Sequence, residues 1–127
     1  MLSYLLDRVP GTGRCRVRLT GDITLDNARA LLAQLWRDPA YVECTAALWD
    51  IGACEMPPFE TLMRVTTYIV REKAGRGPVR VAFVSADFEQ SILVRALQGF
   101  ERLVGFDLNF FADEAAAQAW LDRRGSA

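Results

Sequence analysis

The chain of 127 residues contains no histidine. Histidine is the commonest metal ligand in proteins and the side chain that most often acts as a general acid or base at neutral pH. Its absence also removes the usual activating partner of a nucleophilic cysteine or serine. We therefore expect no catalytic residues, no metal site and no cofactor, and we predict that the protein is not an enzyme.

Long apolar segments are missing as well. The first residues, Met1 to Arg8, lack a basic segment and reach Asp7 too early for a signal peptide. No apolar run approaches the roughly 20 residues that a helix needs to cross a bilayer. We expect a cytoplasmic protein that is not stably inserted in a membrane.

Neither sign of charge is in clear excess. The chain has 15 basic and 16 acidic residues, and its formal net charge is -1. The chain therefore creates no overall field that would attract nucleic acid or an anionic membrane. A basic group is expected around the end of the second predicted helix, formed by Arg64, Arg71, Lys73, Arg76 and Arg80. It has no interleaved aromatic residues for base stacking, so no nucleic acid partner is expected.

Cysteine is scarce, and the remaining composition is typical of one globular domain. Cys15, Cys44 and Cys54 are odd in number and lack metal-type spacing, so we expect free thiols in a reducing compartment. Apolar residues make up 51% and charged residues 24% of the chain. A chain of this length buries about two thirds of its extended surface on folding. We predict a single domain over residues 1–127.

Turn residues, caps and apolar periodicity predict the element order β-β-α-β-α-β-α-β-α. The five predicted strands span 3–9, 15–19, 45–49, 79–84 and 108–111. The four predicted helices begin near Thr24, Pro58, Asp87 and Asp113. Right-handed crossovers make the later strands parallel and leave the first strand antiparallel at an edge, where it can pair with a copy of itself in a homodimer.

The second predicted strand alternates apolar and basic residues. Such alternation is typical of a strand that is covered on one face only. We therefore interpret Arg14, Arg16 and Arg18 as a solvated face.

Five segments carry a family resemblance in their order along the chain: 21–25, 38–41, 48–51, 81–84 and 111–121. They resemble the SpoIIAA-like proteins, which are related to the STAS (sulfate transporter and anti-sigma-factor antagonist) domains. The resemblance spans nearly the whole chain and is greatest to small stand-alone bacterial members, whose fold is shared with a lipid-binding domain. It implies an α/β fold with a mixed, mostly parallel five-stranded sheet, an antiparallel edge strand and four helices. It also implies a non-enzymatic regulatory module that binds a protein partner.

One position departs from the family pattern. In the anti-sigma-factor antagonists, an Asp-Ser pair opens the second helix and a partner kinase phosphorylates the serine. The segment 55–61 contains no serine here, and its nearest hydroxyl is that of Thr61. Because Pro58 is expected at the first helical position, Thr61 is expected inside the helix. The resemblance therefore implies a docking surface without the phosphoswitch, and Thr61 is the candidate for any modification.

The carboxyl ends of parallel strands meet at one edge of a sheet, which is where such folds bind ligands and partners. The loop 50–59 and the start of the second helix are expected at that edge. We predict that the partner- or ligand-binding residues are Asp50, Cys54, Met56, Phe59, Met63, Asp87 and Phe88. Asp87 and Asp113 are interpreted as helix caps rather than as metal ligands, whereas Asp50 precedes no obvious helix start.

An alternative function is the carriage or sensing of a small apolar, lipid-like ligand. Its pocket is predicted at the same edge, lined by Trp49, Met56, Phe59, Phe88 and Phe111. Ligand pockets are mostly apolar and contain few polar groups, which suits this set. The same residue types also occur in ordinary cores, so both interpretations stay open.

Overall fold

The computed structural model describes residues 2–73, 77–86 and 107–123. Its strands are β1 (Leu2–Val9), β2 (Arg14–Gly21), β3 (Ala46–Asp50), β4 (Arg80–Val84) and β5 (Asp107–Phe111). Its helices are α1 (Leu25–Leu35), α2 (Pro39–Val42), α3 (Phe59–Glu72) and α4 (Glu114–Asp122). None of these described helices combines the length and the apolarity needed to cross a membrane. The predicted helix that begins near Asp87 lies outside the described residues.

The strands form one mixed sheet in the order β1-β2-β3-β4-β5. β1 is antiparallel to β2, and each later strand is parallel to the one before it. The hairpin between β1 and β2 turns through Gly11 and Gly13, whose φ angles of 76° and 72° are readily adopted only by glycine. The predicted mixed, mostly parallel sheet with an antiparallel edge strand is confirmed.

The short helix α2 is absent from the sequence prediction. Asp38 at its N-cap accepts a hydrogen bond from the amide of Ala40 at 3.0 Å. Pro39 follows at the first helical position, where a proline forfeits no helical hydrogen bond. The Asp-Pro pair therefore starts a new helical turn as well as ending α1.

One face of the sheet packs against α1 and α3 and contains the larger part of the core. A row of aromatic rings crosses this face. The ring centroids of Trp49 and Phe83 are 5.6 Å apart, and those of Phe83 and Phe110 are 5.3 Å apart. The Trp49 indole donates a hydrogen bond to the Tyr41 hydroxyl at 3.3 Å, so the buried indole N–H is satisfied.

The opposite face of β3 and β4 packs against α4. Ala46 and Leu48 of β3 lie in one buried cluster with Ala117, Trp120 and Leu121 of the helix. Both faces of β3 are therefore buried. This explains why the strand is apolar throughout rather than alternating.

The carboxylates of α4 pair with two arginines of β2. Arg16 donates to both carboxylate oxygens of Glu114, at 2.5 and 2.9 Å, and Arg14 pairs with Asp122 at 2.5 Å. The interpretation of Arg14 and Arg16 as part of a solvated face is therefore wrong, whereas Arg18 is exposed. α4 packs across β3, β4 and β5, so its polar side reaches β2.

The basic residues expected around the end of the second helix do not form one cluster. The guanidinium carbon of Arg80 lies 4.1 Å from the centre of the Trp120 ring, and its Nη1 pairs with Asp107. Arg80 thus belongs to the contact between β4, β5 and α4. Lys73 is buried, with 6% of its surface exposed, and Arg76 lies outside the described residues.

We predict that Leu108→Ala lowers the free energy of unfolding by about 2–5 kcal/mol, because Leu108 is fully buried and its truncation leaves a cavity. Val79→Ala is the control. Val79 is 55% exposed and takes no part in the core, and its truncation should change stability by less than about 0.5 kcal/mol. Urea unfolding followed by circular dichroism measures both. Equal losses would contradict the assigned burial.

Candidate functional site

The segment Ile51 to Pro58, called the edge loop below, crosses the carboxyl ends of the strands. Its first amide, that of Ile51, donates to the carbonyl of Val84 in β4 at 3.0 Å. Further along, Glu55 forms an isolated parallel bridge with Asp22, directly beyond β2. The edge loop is therefore tied to the strands on both sides of β3, although it contains no regular secondary structure of its own.

Asp50 shapes the turn that starts the edge loop. Its Oδ1 accepts a hydrogen bond from the Gly52 amide at 3.0 Å, and its Oδ2 lies 3.5 Å from Nη2 of Arg16. A Cβ at position 52 would lie 3.2 Å from Oδ1, so glycine permits this close approach. The same Arg16 guanidinium holds Glu114, so one cation joins β2, the end of β3 and the start of α4.

Cys54 lies in the middle of the edge loop and is buried, with 5% of its surface exposed. Burial raises the pKa of its thiol, and the nearby carboxylates of Asp22 and Asp50 raise this pKa further. The thiolate is the nucleophilic form of cysteine, and these surroundings disfavour it. Cys54 therefore packs under the edge loop as a neutral thiol.

Phe59 is the first residue of α3 and is 46% exposed. Met56, in the edge loop, and Met63, one turn along α3, are partly buried against the core. Three of the predicted binding residues thus form an apolar ridge that starts in the edge loop and continues on α3. Asp50 lies directly before the edge loop, and Cys54 lies buried in its middle.

A surface groove with a volume of about 640 Å³ runs between α1 and α3. Its walls combine Leu25 and Met63 with the charged side chains of Arg29, Glu60, Arg64, Arg71 and Glu72 and with the polar residues Thr67 and Tyr68. The guanidinium carbon of Arg29 lies 5.6 Å from the centre of the Tyr68 ring. Sequence reasoning missed this groove, although the four-residue spacing of Glu60, Arg64 and Tyr68 places them on one line of the helix.

Comparison with known proteins bears on the fold. No protein-family model and no curated protein sequence matches the chain. It is similar to the crystal structure of an uncharacterized protein of the DUF3478 family with a SpoIIAA-like fold from Shewanella loihica PV-4. The TM-score is 0.61 at 16% sequence identity, over 94% of this chain and 93% of that one. The chain has a SpoIIAA-like fold.

A second match is to the unphosphorylated form of the anti-sigma factor antagonist SpoIIAA, with a TM-score of 0.49 and 17% identity over 97% of this chain and 99% of that chain. The SpoIIAA-like fold predicted from the sequence is confirmed by the DUF3478 structure.

Within the SpoIIAA-like fold of this chain, α3 begins one residue later than predicted. Pro58 is the N-cap, with an extended ψ of 150°, and its carbonyl accepts the first helical hydrogen bond from Leu62 at 3.1 Å. The expectation that Pro58 occupies the first helical position is therefore wrong by one residue. Thr61 lies in the first turn of α3 and is partly buried.

An apolar cavity of about 40 Å³ lies between the sheet, α1 and α3. Engineered cavities that bind benzene measure about 150 Å³, so this one is too small for a lipid-like molecule as it stands. Trp49 lines the cavity, but Met56 and Phe59 do not. Phe111 lies on the opposite face of the sheet, 5.6 Å from the ring of Trp120. The four members of the predicted set that the structure describes therefore do not line this cavity together, and Phe88 lies outside the described residues.

Carboxylates at this edge of the sheet have structural partners. Asp113 caps α4, since its Oδ1 accepts a hydrogen bond from the amide of Ala116 at 2.8 Å. Over residues 2–73, 77–86 and 107–123, no group of three acidic or thiol side chains is arranged to hold a metal ion. Asp87 and Phe88 lie outside the described residues, so their predicted roles stay predictions.

We predict a coupling free energy of about 0.5–1 kcal/mol between Arg16 and Glu114, measured by a double-mutant cycle with Arg16→Met and Glu114→Gln. Both side chains are partly exposed, which limits the value, but the contact is bidentate. The exposed pair Glu60 and Arg64 is the control and should give a smaller coupling. A coupling no larger than that of the control would contradict the bridging role of Arg16.

We further predict that alkaline pH destabilises the protein partly through Cys54. Because its thiol pKa is raised in the folded state, the protonated thiol stabilises the fold fully below its unfolded pKa of about 8.5. This contribution is lost as the pH rises through the folded pKa. Urea unfolding between pH 7 and pH 10 should therefore show a smaller alkaline loss in Cys54→Ala than in the wild type. Identical losses would show that the thiol has an ordinary pKa.

Proposed function

We propose that this protein is a non-enzymatic regulatory module of the STAS type that binds a protein partner. The partner contacts the edge loop and the outward side of α3. This binding does not use the serine phosphoswitch of anti-sigma-factor antagonists. The SpoIIAA-like fold supports the regulatory class, and the surface at the edge loop supports the binding role.

The observation that carries the proposal is the exposure of Phe59 on a well-anchored backbone. A phenylalanine gains about 1.5–3 kcal/mol on full burial, and Phe59 is still 46% exposed in the isolated chain. It stands at the start of a helix whose preceding loop is fixed to β2 and β4. A large apolar side chain on a pre-organised backbone is the usual form of an interface anchor, because little ordering is lost on binding.

The surroundings of Phe59 fit a protein interface. Met56 and Met63 extend the apolar surface, and Glu60 and Arg64 next to them form an exposed ion pair at 2.8 Å. An apolar centre with a charged rim is the common arrangement of non-obligate interfaces. The adjoining groove between α1 and α3 provides a concave continuation of the rim.

The chemical groups at this edge favour binding over catalysis. The Asp50 carboxylate is held by Gly52 and Arg16, and the Cys54 thiol has a raised pKa. Thr61 is the nearest hydroxyl to the position at which antagonists of the family are phosphorylated. We propose that partner binding here is independent of phosphorylation.

The alternative of a carrier for a small apolar ligand has less support. The internal cavity of about 40 Å³ would have to grow severalfold by separation of α1 and α3 before a lipid chain could enter. The exposed Phe59, by contrast, needs no rearrangement to contact a partner.

We predict that Phe59→Asp weakens partner binding by about thirtyfold, the equivalent of about 2 kcal/mol for an aromatic anchor. The partner is first identified by photo-crosslinking from benzoylphenylalanine at position 59 in cells and is then purified for calorimetric titration. Val79→Asp is the matched control. Val79 is 55% exposed but lies directly before β4, at the amino ends of the parallel strands, whereas Phe59 lies near their carboxyl ends. Thr61→Ala is the second control, and both controls should bind as the wild type does.

Two results would contradict the proposed function. Wild-type affinity in Phe59→Asp would show that the edge loop and α3 do not form the interface. A phosphate on Thr61 in protein isolated from cells, together with lost binding in Thr61→Ala, would show that phosphorylation controls partner binding. Native mass spectrometry of the same preparation tests the alternative, since a lipid-sized mass bound to the wild type would favour the carrier.

A further inference from the structure

The outer edge of β1 is the second unusual surface of the molecule. β1 is eight residues long and stands at one end of the sheet. It pairs with β2 one-to-one from Leu2 to Val9, without a bulge. In the described part of the chain, no strand pairs with its other side. The backbone amides and carbonyls on that side are therefore available to another strand.

β1 lacks the features that usually protect an edge strand. Natural edges are shortened, bulged, or interrupted by proline or lysine. The sequence of β1 contains neither residue type. Its only charged side chains, Asp7 and Arg8, are adjacent near its carboxyl end and have opposite signs.

The side chains on one face of β1 contact the rest of the molecule, whereas a leucine on the other face is exposed. On the inner face, the Tyr4 hydroxyl donates to the Asp38 carboxylate at 3.3 Å, and Arg8 pairs with Glu43 at 3.3 Å. These contacts tie the strand to the N-cap and the C-cap of α2. On the outer face, Leu5 is 66% exposed at the middle of the strand. Of the described helices, α4 packs mainly on β3, β4 and β5 of this face.

We propose that two copies of this chain associate through antiparallel pairing of their β1 strands about a two-fold axis at Leu5. The two five-stranded sheets then form one continuous sheet. In this register, Leu5 faces Leu5 of the second copy, and Ser3 faces its Asp7. Leu2 faces Arg8, and Tyr4 faces Leu6.

This register is self-complementary. It buries the most exposed apolar side chain of β1 against its own copy, and cross-strand apolar pairs of this kind stabilise a sheet. It places each Asp7 carboxylate opposite a serine hydroxyl and brings no like charges face to face. A parallel, in-register pair would instead set Asp7 against Asp7 and Arg8 against Arg8, which is destabilising. The match of the strand to itself favours a second copy over an unrelated strand.

The test is the mass in solution, measured by light scattering after size exclusion and by sedimentation from micromolar to millimolar concentration. The wild type should reach twice the 14.2 kDa of one chain. Leu5→Lys places two ammonium groups at the two-fold axis and should remain a folded monomer, as checked by circular dichroism. Val42→Lys is the matched control. Val42 is an exposed apolar residue at the end of α2, and its substitution should leave the dimer intact.

Cysteine crosslinking fixes the register. The three native cysteines are buried, so oxidation of Leu5→Cys should give a covalent dimer through position 5, whereas Ser3→Cys should not. A monomeric wild type at millimolar concentration would overturn the proposal, as would a dimer that survives Leu5→Lys. Capture of a different protein by β1 while the chain alone stays monomeric would also overturn it. The β1 edge contains none of the residues of the proposed partner surface, so either proposal can fail without the other.

Discussion

The structure depends on the burial of β3 on both faces. Ala46 and Ala47 are fully buried on opposite sides of the strand, and Leu48 and Trp49 repeat the alternation. Small residues at the start of β3 allow helices to pack closely above and below the sheet. The edge loop begins where this strand ends, so the position of the candidate site is set by the part of the sheet that is packed from both sides.

The strand order and the location of the candidate site could be predicted from the sequence. Both depend on the periodicity of apolar residues and on the glycines and prolines that end the helices and strands. Continuous apolar runs predicted the buried parallel strands, and the turn residues between β1 and β2 predicted the hairpin. The position of α4 across the sheet could not be predicted in the same way. Its acidic residues Glu114 and Asp122, together with Gln118, repeat every four residues, but that spacing alone does not show which strand they face.

The wrong interpretations have two physical causes. The sequence pattern assigns Arg14 and Arg16 to a solvated face and Arg80 to a basic group at the end of the second helix, whereas each has an aliphatic stem long enough to cross part of a face and reach a carboxylate or ring on α4 or β5. Phe111 and Trp49 are predicted to line one pocket because their strands end at the same edge. The two-residue period of a strand places them on opposite faces.

The single guanidinium that serves both Asp50 and Glu114 links two distant parts of the chain. Arg16 and Glu114 are 98 positions apart in sequence, and the Arg16 guanidinium that binds Glu114 also contacts Asp50, the residue before the edge loop. Asp50 and the last helix therefore compete for one positive charge, and a shift of either carboxylate changes the field at the other. The amino end of the last helix is in this sense part of the binding edge, so a shorter chain that lacks this helix would differ there in electrostatics as well as in packing.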